Sequence, residues 1–238
     1  MLYYLNENLL ALLEADPHKF NQVYQGNFTP IVSPKLKQRQ KLGNQFHQIV
    51  RQLLLGLPVE PLLEAYPRIK HWVEQLQQAA PEIFQEQPGC QRSWDERGQV
   101  VFNDVVLSTT YDLVIQSYSV AEIIDWTTSF VSEEYLEASW NTQLKLYLFA
   151  ENYHYLPDKI TLTYWQVNDD NEPFCCHFDY GQKQHDAFKD RLALTLLNLR
   201  IPAHNLTNQH ANPNSLTSFL QGQIPVNEYV ASVPEVEI

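Results

Sequence analysis

The sequence predicts an α/β protein, with a mixed central β-sheet flanked by helices and an N-terminal helical segment ahead of it. Three observations carry that expectation. Residues 34–54 place apolar side chains at helical spacing, residues 90–126 hold successive runs rich in Val, Ile, Tyr and Trp, and residues 138–153 return to a helical pattern before "KITLTYWQV". Helices, then strands, a helix and a strand give one sheet a helical layer on each face.

Taken in order, Leu5 to Ala15 reads as a helix, and "ADPHKF" restarts the chain at Pro17, a favourable first-turn residue. "NFTPIVSP" is a loop whose Ser33–Pro34 suits the cap and first turn of the next helix, which carries Leu42, Phe46, Ile49, Val50, Leu53 and Leu54 on one stripe. Pro58 and Pro67 punctuate two shorter helices, the second running through "RIKHWVEQLQQAA". "CQRSW", "VVFNDVVL", "TYDLVIQ" and "EIIDW" read as successive strands. "ASWNTQLKLYLFAENY" is a largely buried helix, "FCCHFDY" a further strand and "HDAFKDRLALTLLNL" a last long helix. A single domain over 1–200 is expected, with a polar tail of uncertain structure over 201–238.

Composition bounds the function. The 238 residues include 13 Tyr, 11 Phe and 5 Trp among 44% hydrophobic residues, enough for a packed core. The N-terminus lacks the basic start and apolar run of a signal peptide, and "LLLGLPV" is too short to span a bilayer. Three cysteines, two of them adjacent, form no disulfide framework, so a cytoplasmic protein with no membrane association is expected. The net charge of −12 argues against an anionic partner, but its distribution does not: residues 17–59 contain Lys19, Lys35, Lys37, Arg39, Lys41 and Arg51 and no acid. Such asymmetry suits either a localised anion-facing surface or a solvated helix face balanced by acids elsewhere.

The chemistry-bearing residues lie on the strands. Between "YDLVIQ" and "AEIIDW" the four residues 117–120 form a hairpin-length loop. Pairing Gln116 with Ala121 places Asp112 opposite Asp125, with Cβ atoms about 4.5–5.5 Å apart. Two like charges there destabilise a sheet unless a cation lies between them, and a hard divalent ion such as Mg²⁺ takes one or two carboxylates, waters and substrate phosphate. A shifted register, or an Asp merely capping a strand in water, is the structural alternative. Thr127 shares the face of Asp125. Cys175, Cys176, His177 and His185 match no zinc-finger spacing, and adjacent strand cysteines point to opposite faces.

In several motifs, in order, the chain resembles the RecB-like branch of the PD-(D/E)XK nuclease superfamily. "LGNQFH" is similar to its Gly-x-x-x-His motif, with Gly43 and His47 one turn apart; "TYDLVI" resembles the strand of the first acidic ligand, Asp112. "IIDWTT" resembles the Asp-x-Lys-Thr motif, giving Asp125, with Thr127 where lysine belongs, and "QLKLY" resembles the Gln-x-x-x-Tyr motif, giving Gln143 and Tyr147. The resemblance covers about residues 5–170. It implies an αβββαβ, restriction-endonuclease-like core and DNA phosphodiester hydrolysis with Mg²⁺ or Mn²⁺ on Asp112, Asp125 and His47. Gln143 and Tyr147 would position the site. DNA is the implied partner, alongside a protein supplying helicase action or recruitment. Iron–sulfur members use four cysteines in an arrangement that Cys90, Cys175 and Cys176 do not provide, so no cluster is expected.

The missing lysine implies slow hydrolysis or a silent, nucleic-acid- or protein-binding subunit, and restoring it with Thr127→Lys should raise the rate. Among substitutes, Lys145 lies about 200° round the helix from Gln143 and is expected to point away from the site. Lys41 is about 120° off His47 on its helix, and Lys159 precedes the next strand. Glu82 and Glu86 precede the first long strand and are weaker candidates for a further carboxylate.

Overall fold

The computed structural model of the protein describes residues 2–26, 33–102, 104–153 and 155–200; the tail expected over 201–238 lies outside the described residues. Its centre is a six-stranded mixed sheet. Strands β2 (Gln91–Phe102) and β3 (Val105–Gln116) form a long antiparallel hairpin. On the other edge of β3, β1 (Tyr3–Leu5) pairs parallel at one end, from Tyr3 with Val105 to Leu5 with Leu107. β4 (Ala121–Thr127) pairs antiparallel at the opposite end. From β4 the chain crosses over to β5 (Ile160–Gln166), parallel to β4, and β6 (Phe174–Asp179) closes the order antiparallel to β5.

Two sequence expectations shift here. Leu5 belongs to a strand and not to the first helix, α1 (Glu7–Ala15), because its amide edge completes β3. Asn6 caps α1 instead, accepting from the Leu9 N–H at 3.0 Å. The run "VVFNDVVL" is two strand ends and a turn, since β2 stops at Phe102 and β3 starts at Val105. An Asn-Asp pair inside an apolar run is turn chemistry.

The chain divides into two compact units, residues 1–11 with 30–193, and residues 12–29 with 194–238. The smaller contains α2 (Pro17–Tyr24), capped by Asp16, which accepts from the Lys19 N–H at 2.9 Å; Phe20 stacks on Tyr24. The larger contains the sheet. One of its faces packs on α3 (Pro34–Leu54) and α5 (Pro67–Ala79), with α4 (Glu60–Ala65) between them in sequence. Ser33 caps α3, with Pro34 in its first turn, and Phe46, Ile49 and Val50 bury the expected stripe against Leu113, Ile115, Ile124 and Trp126. The opposite face packs on α7 (Trp140–Tyr153), which follows the short α6 (Glu133–Ala138). Leu146, Phe149 and Ala150 of α7 meet Val114, Ile123, Leu162 and Tyr164. Behind α7 lies the start of α8 (Gln182–Leu197), where the Phe188 ring packs on Trp140 and Tyr147. Covered on both sides, α7 is buried almost all round, as a helix between two layers must be.

Candidate active site

The β3–β4 hairpin has the register that its loop implied: Gln116 pairs with Ala121 and the ladder runs to Leu113 with Ile124. Asp112 and Asp125 come one step further, where carboxylates bond across in place of the backbone ladder. The Asp112 N–H donates to Asp125 Oδ1 at 3.2 Å, and the Trp126 N–H donates to Asp112 Oδ2 at 3.2 Å. Alternation also slips at this point. Tyr111 and Val114 both join the core on the α7 side, whereas Leu113 and Ile115 face α3. In a regular strand Tyr111 would share the face of Leu113. The slip lets the Asp112 carboxylate reach α3, where His47 Nδ1 donates to its Oδ1 at 3.0 Å, while Asp125 meets α7.

On α7 the partner of Asp125 is Lys145, whose Nζ forms a buried ion pair with Asp125 Oδ2. The expectation that Lys145 points away is therefore corrected. Gln143 and Lys145 do point in different directions, as their spacing requires, but Gln143 is the one that points away. Its Oε1 accepts from Arg191 at 2.9 Å, its Nε2 donates to the Glu137 carbonyl at 3.2 Å, and it lines a cavity of about 270 Å³ with Tyr180 and Phe188. Tyr147 likewise packs its ring 4.9 Å from His185 and 5.3 Å from Phe188. The structure thus does not bring Gln143 and Tyr147 to the aspartates; the helix face that does reach them carries Asn141 and Lys145, again at i and i+4. Asn141 Nδ2 donates at 2.8 Å to the hydroxyl of Tyr164, the β5 residue paired with Asp125. Sequence reasoning fixed the wrong phase of α7 because a helix buried almost all round, with its polar residues spread over several faces, has no single polar face to mark its direction. The available signal was a lysine within "LKLYLF", which a buried helix tolerates only with a partner.

The other candidates lie apart. Lys159 pairs with its neighbour Asp158 at 3.1 Å, and Ile160 after it pairs with Ala121, at the far end of β4 from Asp125. Arg51 pairs with Asp95, and Lys41 is exposed on α3. Glu82 and Glu86 are exposed beyond α5. His177 Nδ1 meets Thr163 and His185 Nδ1 meets Tyr180, both at 3.0 Å and away from the aspartates. Thr127 lines a polar depression of about 370 Å³ with Arg39, Asn44, His47 and Thr128, on the α3 side of the site.

Burial and charge pull the two carboxyls apart. Burial raises Asp125, the neighbouring Asp112 charge raises it further, and Lys145 offsets part of this, leaving Asp125 above the usual carboxylate range. Burial acts the same way on Asp112, but His47, by charge and hydrogen bond, with Lys145 and the Trp126 N–H, brings it below that range. Burial lowers His47, and Asp112 with Asp125 overrides it, for a net rise. A second positive charge between the carboxylates would favour the ionised form of Asp125. Aspartate oxygens are the hard donors that a divalent ion such as Mg²⁺ prefers, and here each of the four already meets a protein donor. Among the described residues no group of three or more His, Cys, Asp or Glu is arranged to hold a metal ion, so the expected set of His47, Asp112 and Asp125 does not come together as three ligands; His47 is a hydrogen-bond partner of Asp112 instead.

The family model described as the PD-(D/E)XK nuclease superfamily matches residues 10–217. No curated protein matches. Among solved structures, the chain is similar to a candidate exonuclease from Eubacterium rectale, with a TM-score of 0.50 and 7% identity over 93% of this chain and 83% of that one. It is also similar to the protein SSO0001, with 11% identity over 94% and 87% of the two chains, at a TM-score of 0.38. At 7% identity the likeness to the first speaks to the fold alone, which is the mixed sheet with helices on both faces described above.

Proposed function

The chain belongs to the PD-(D/E)XK nuclease superfamily, and on that premise we propose that it hydrolyses DNA phosphodiester bonds in a RecB-like manner with Lys145 in place of the absent motif lysine. The observation that carries this reading is the contact of Lys145 with Asp125, across the β3–β4 hairpin from an Asp112 held by His47. Asp112 and Asp125 would hold Mg²⁺ or Mn²⁺, which supplies polarisation of the phosphate and a lowered pKa for water. His47 fixes the Asp112 carboxylate by its Nδ1 hydrogen bond, so that the other oxygen and the flanking lone pairs keep their direction. The Lys145 ammonium orients the attacking water and donates to a non-bridging oxygen as negative charge accumulates in the transition state. Asn141, through Tyr164, braces the strand beneath Asp125.

The setting we infer is cytoplasmic, with Cys90, Cys175 and Cys176 as free thiols and a protein partner supplying helicase action or recruitment. Among the described residues no helix is long and apolar enough to cross a membrane. A second reading, a catalytically silent subunit that binds nucleic acid or protein, is favoured by one observation: Asp125 and Lys145 are only 2% and 6% exposed, as in a structural ion pair. Purified protein with a labelled linear DNA and Mg²⁺ or Mn²⁺ separates the two. Hydrolysis that falls about 10²–10³-fold in Lys145→Met and is lost in Asp125→Asn supports the nuclease. No hydrolysis by the unaltered protein supports the silent subunit. Hydrolysis indifferent to Lys145→Met overturns the role given to that lysine.

A further inference from the structure

Beside the aspartates, α3 presents Lys35, Arg39, Gly43 and His47 at four-residue steps, one ridge with about 6 Å between successive positions. The depression lined by Arg39, Gly43, His47 and Thr127 meets a second of about 370 Å³, lined by Lys35, Arg39, Arg68, Thr128 and Phe130 together with Asp169 and Asp170. The two share Arg39 and Thr128, so a single groove leads from the Asp112 side of the site outward along α3. We propose that this groove is a track for one unpaired strand of nucleic acid, its backbone on the Lys35–Arg39 ridge and a base on Phe130. This inference rests on the nuclease reading of the site and extends it to the form of the substrate.

The two walls differ in a way that suits this occupant. On the α3 wall, Lys35 and Arg39 are exposed and in no ion pair among the described residues, α3 itself carries no acid, and of the two acids across the outer depression Asp169 is paired with Arg68. Gly43 leaves the ridge without a side chain between Arg39 and His47, and the Thr128 hydroxyl faces it, 3.5 Å from where a Cβ would stand. Opposite, Thr127, Thr128 and Ser129 present hydroxyls, and Phe130 stands 49% exposed with its ring centroid 5.9 Å from that of Phe174, itself 41% exposed. An exposed phenylalanine pair beside the cationic α3 wall offers π-faces that only an unstacked base can use. Arg68 adds little charge, since Asp169 pairs with it at 2.5 Å while it lies over the Trp72 ring.

The test measures binding and not cleavage, so its outcome is separate from that of the nuclease reading. Fluorescence anisotropy in EDTA follows a labelled thymidine oligonucleotide and a duplex of equal length across a salt series. The track predicts that Phe130→Ala weakens the single strand about tenfold and the duplex much less. It also predicts that Arg39→Gln reduces the slope of log affinity against log salt by about 0.7. Equal binding of strand and duplex, indifference of the single strand to Phe130→Ala, or no binding by the unaltered protein overturns the track, whether or not the protein cleaves DNA.

Discussion

At Asp125 a carboxylate is held under the sheet by an ammonium from a helix and an amide from the neighbouring strand. Removing one member of such a pair leaves the other charge buried, which costs about 3–5 kcal/mol. Lys145→Met should therefore lower the free energy of unfolding by roughly that amount in a denaturant titration. Adding Asp125→Asn to it should recover part of the loss, since no charge then remains without a partner. The His47–Asp112 pair predicts a pH dependence. His47 is raised above its ordinary 6.5, so its stabilising contribution is full below that value and fades as pH climbs through the folded pKa. Asp112 is lowered from 3.8, so its contribution is present above that value and fades as pH falls through the folded pKa. The difference in melting temperature between the unaltered protein and His47→Gln should be largest between pH 3.8 and 6.5. It should shrink as pH rises through the folded pKa of His47. A difference that grows with pH contradicts the pairing.

The β2–β3 hairpin sets the height of α7. A Cβ on Gly98 would stand 2.6 Å from the Tyr111 hydroxyl, which itself donates to the Lys145 carbonyl at 3.2 Å. Gly98→Ala should destabilise the fold by about 1–3 kcal/mol through overpacking. Because Tyr111 transmits the displacement to the backbone of Lys145, hydrolysis should fall more than in a surface variant of equal stability. α7 also decides the outcome at Thr127. With the ammonium already on Asp125, Thr127→Lys alone adds a second cation to a filled position, so no gain in rate is expected. In Lys145→Met, the same substitution should restore part of the lost hydrolysis. Steady-state rates of the two single variants and the double variant check this, and a gain in Thr127→Lys alone would show that Lys145 does not fill the role.

For the whole molecule, a net charge of −12 disfavours anions in general, and residues 17–59, with six Lys and Arg and no acid, are the exception. A cation that binds only the folded state adds stability by mass action, about 2.7 kcal/mol at a hundred times its dissociation constant. Mg²⁺ or Mn²⁺ should therefore raise the melting temperature of the unaltered protein and leave that of Asp125→Asn nearly unchanged. Calorimetry with and without the ion measures it. An equal rise in both proteins would place the ion elsewhere.

The sequence by itself determined the local and near-local features. The loop at 117–120 set the hairpin register because a four-residue connection permits few pairings, and Ser33–Pro34 marked the start of α3 through capping chemistry that needs only adjacent residues. The apolar stripe of α3 fixed the direction of His47, because one face of that helix meets water and the other the core. What only the tertiary structure decided was the phase of α7. A helix covered by the sheet on one side and the start of α8 on the other has no polar stripe, so spacing cannot tell the side of Gln143 and Tyr147 from that of Asn141 and Lys145. The slip at Asp112 was equally illegible, since it arises from how Tyr111 packs under α7 and over Gly98, residues remote in sequence. The ammonium that strand alternation does not supply at 127 meets Asp125 from a helix, a contact between residues on different elements that spacing along one strand cannot reveal.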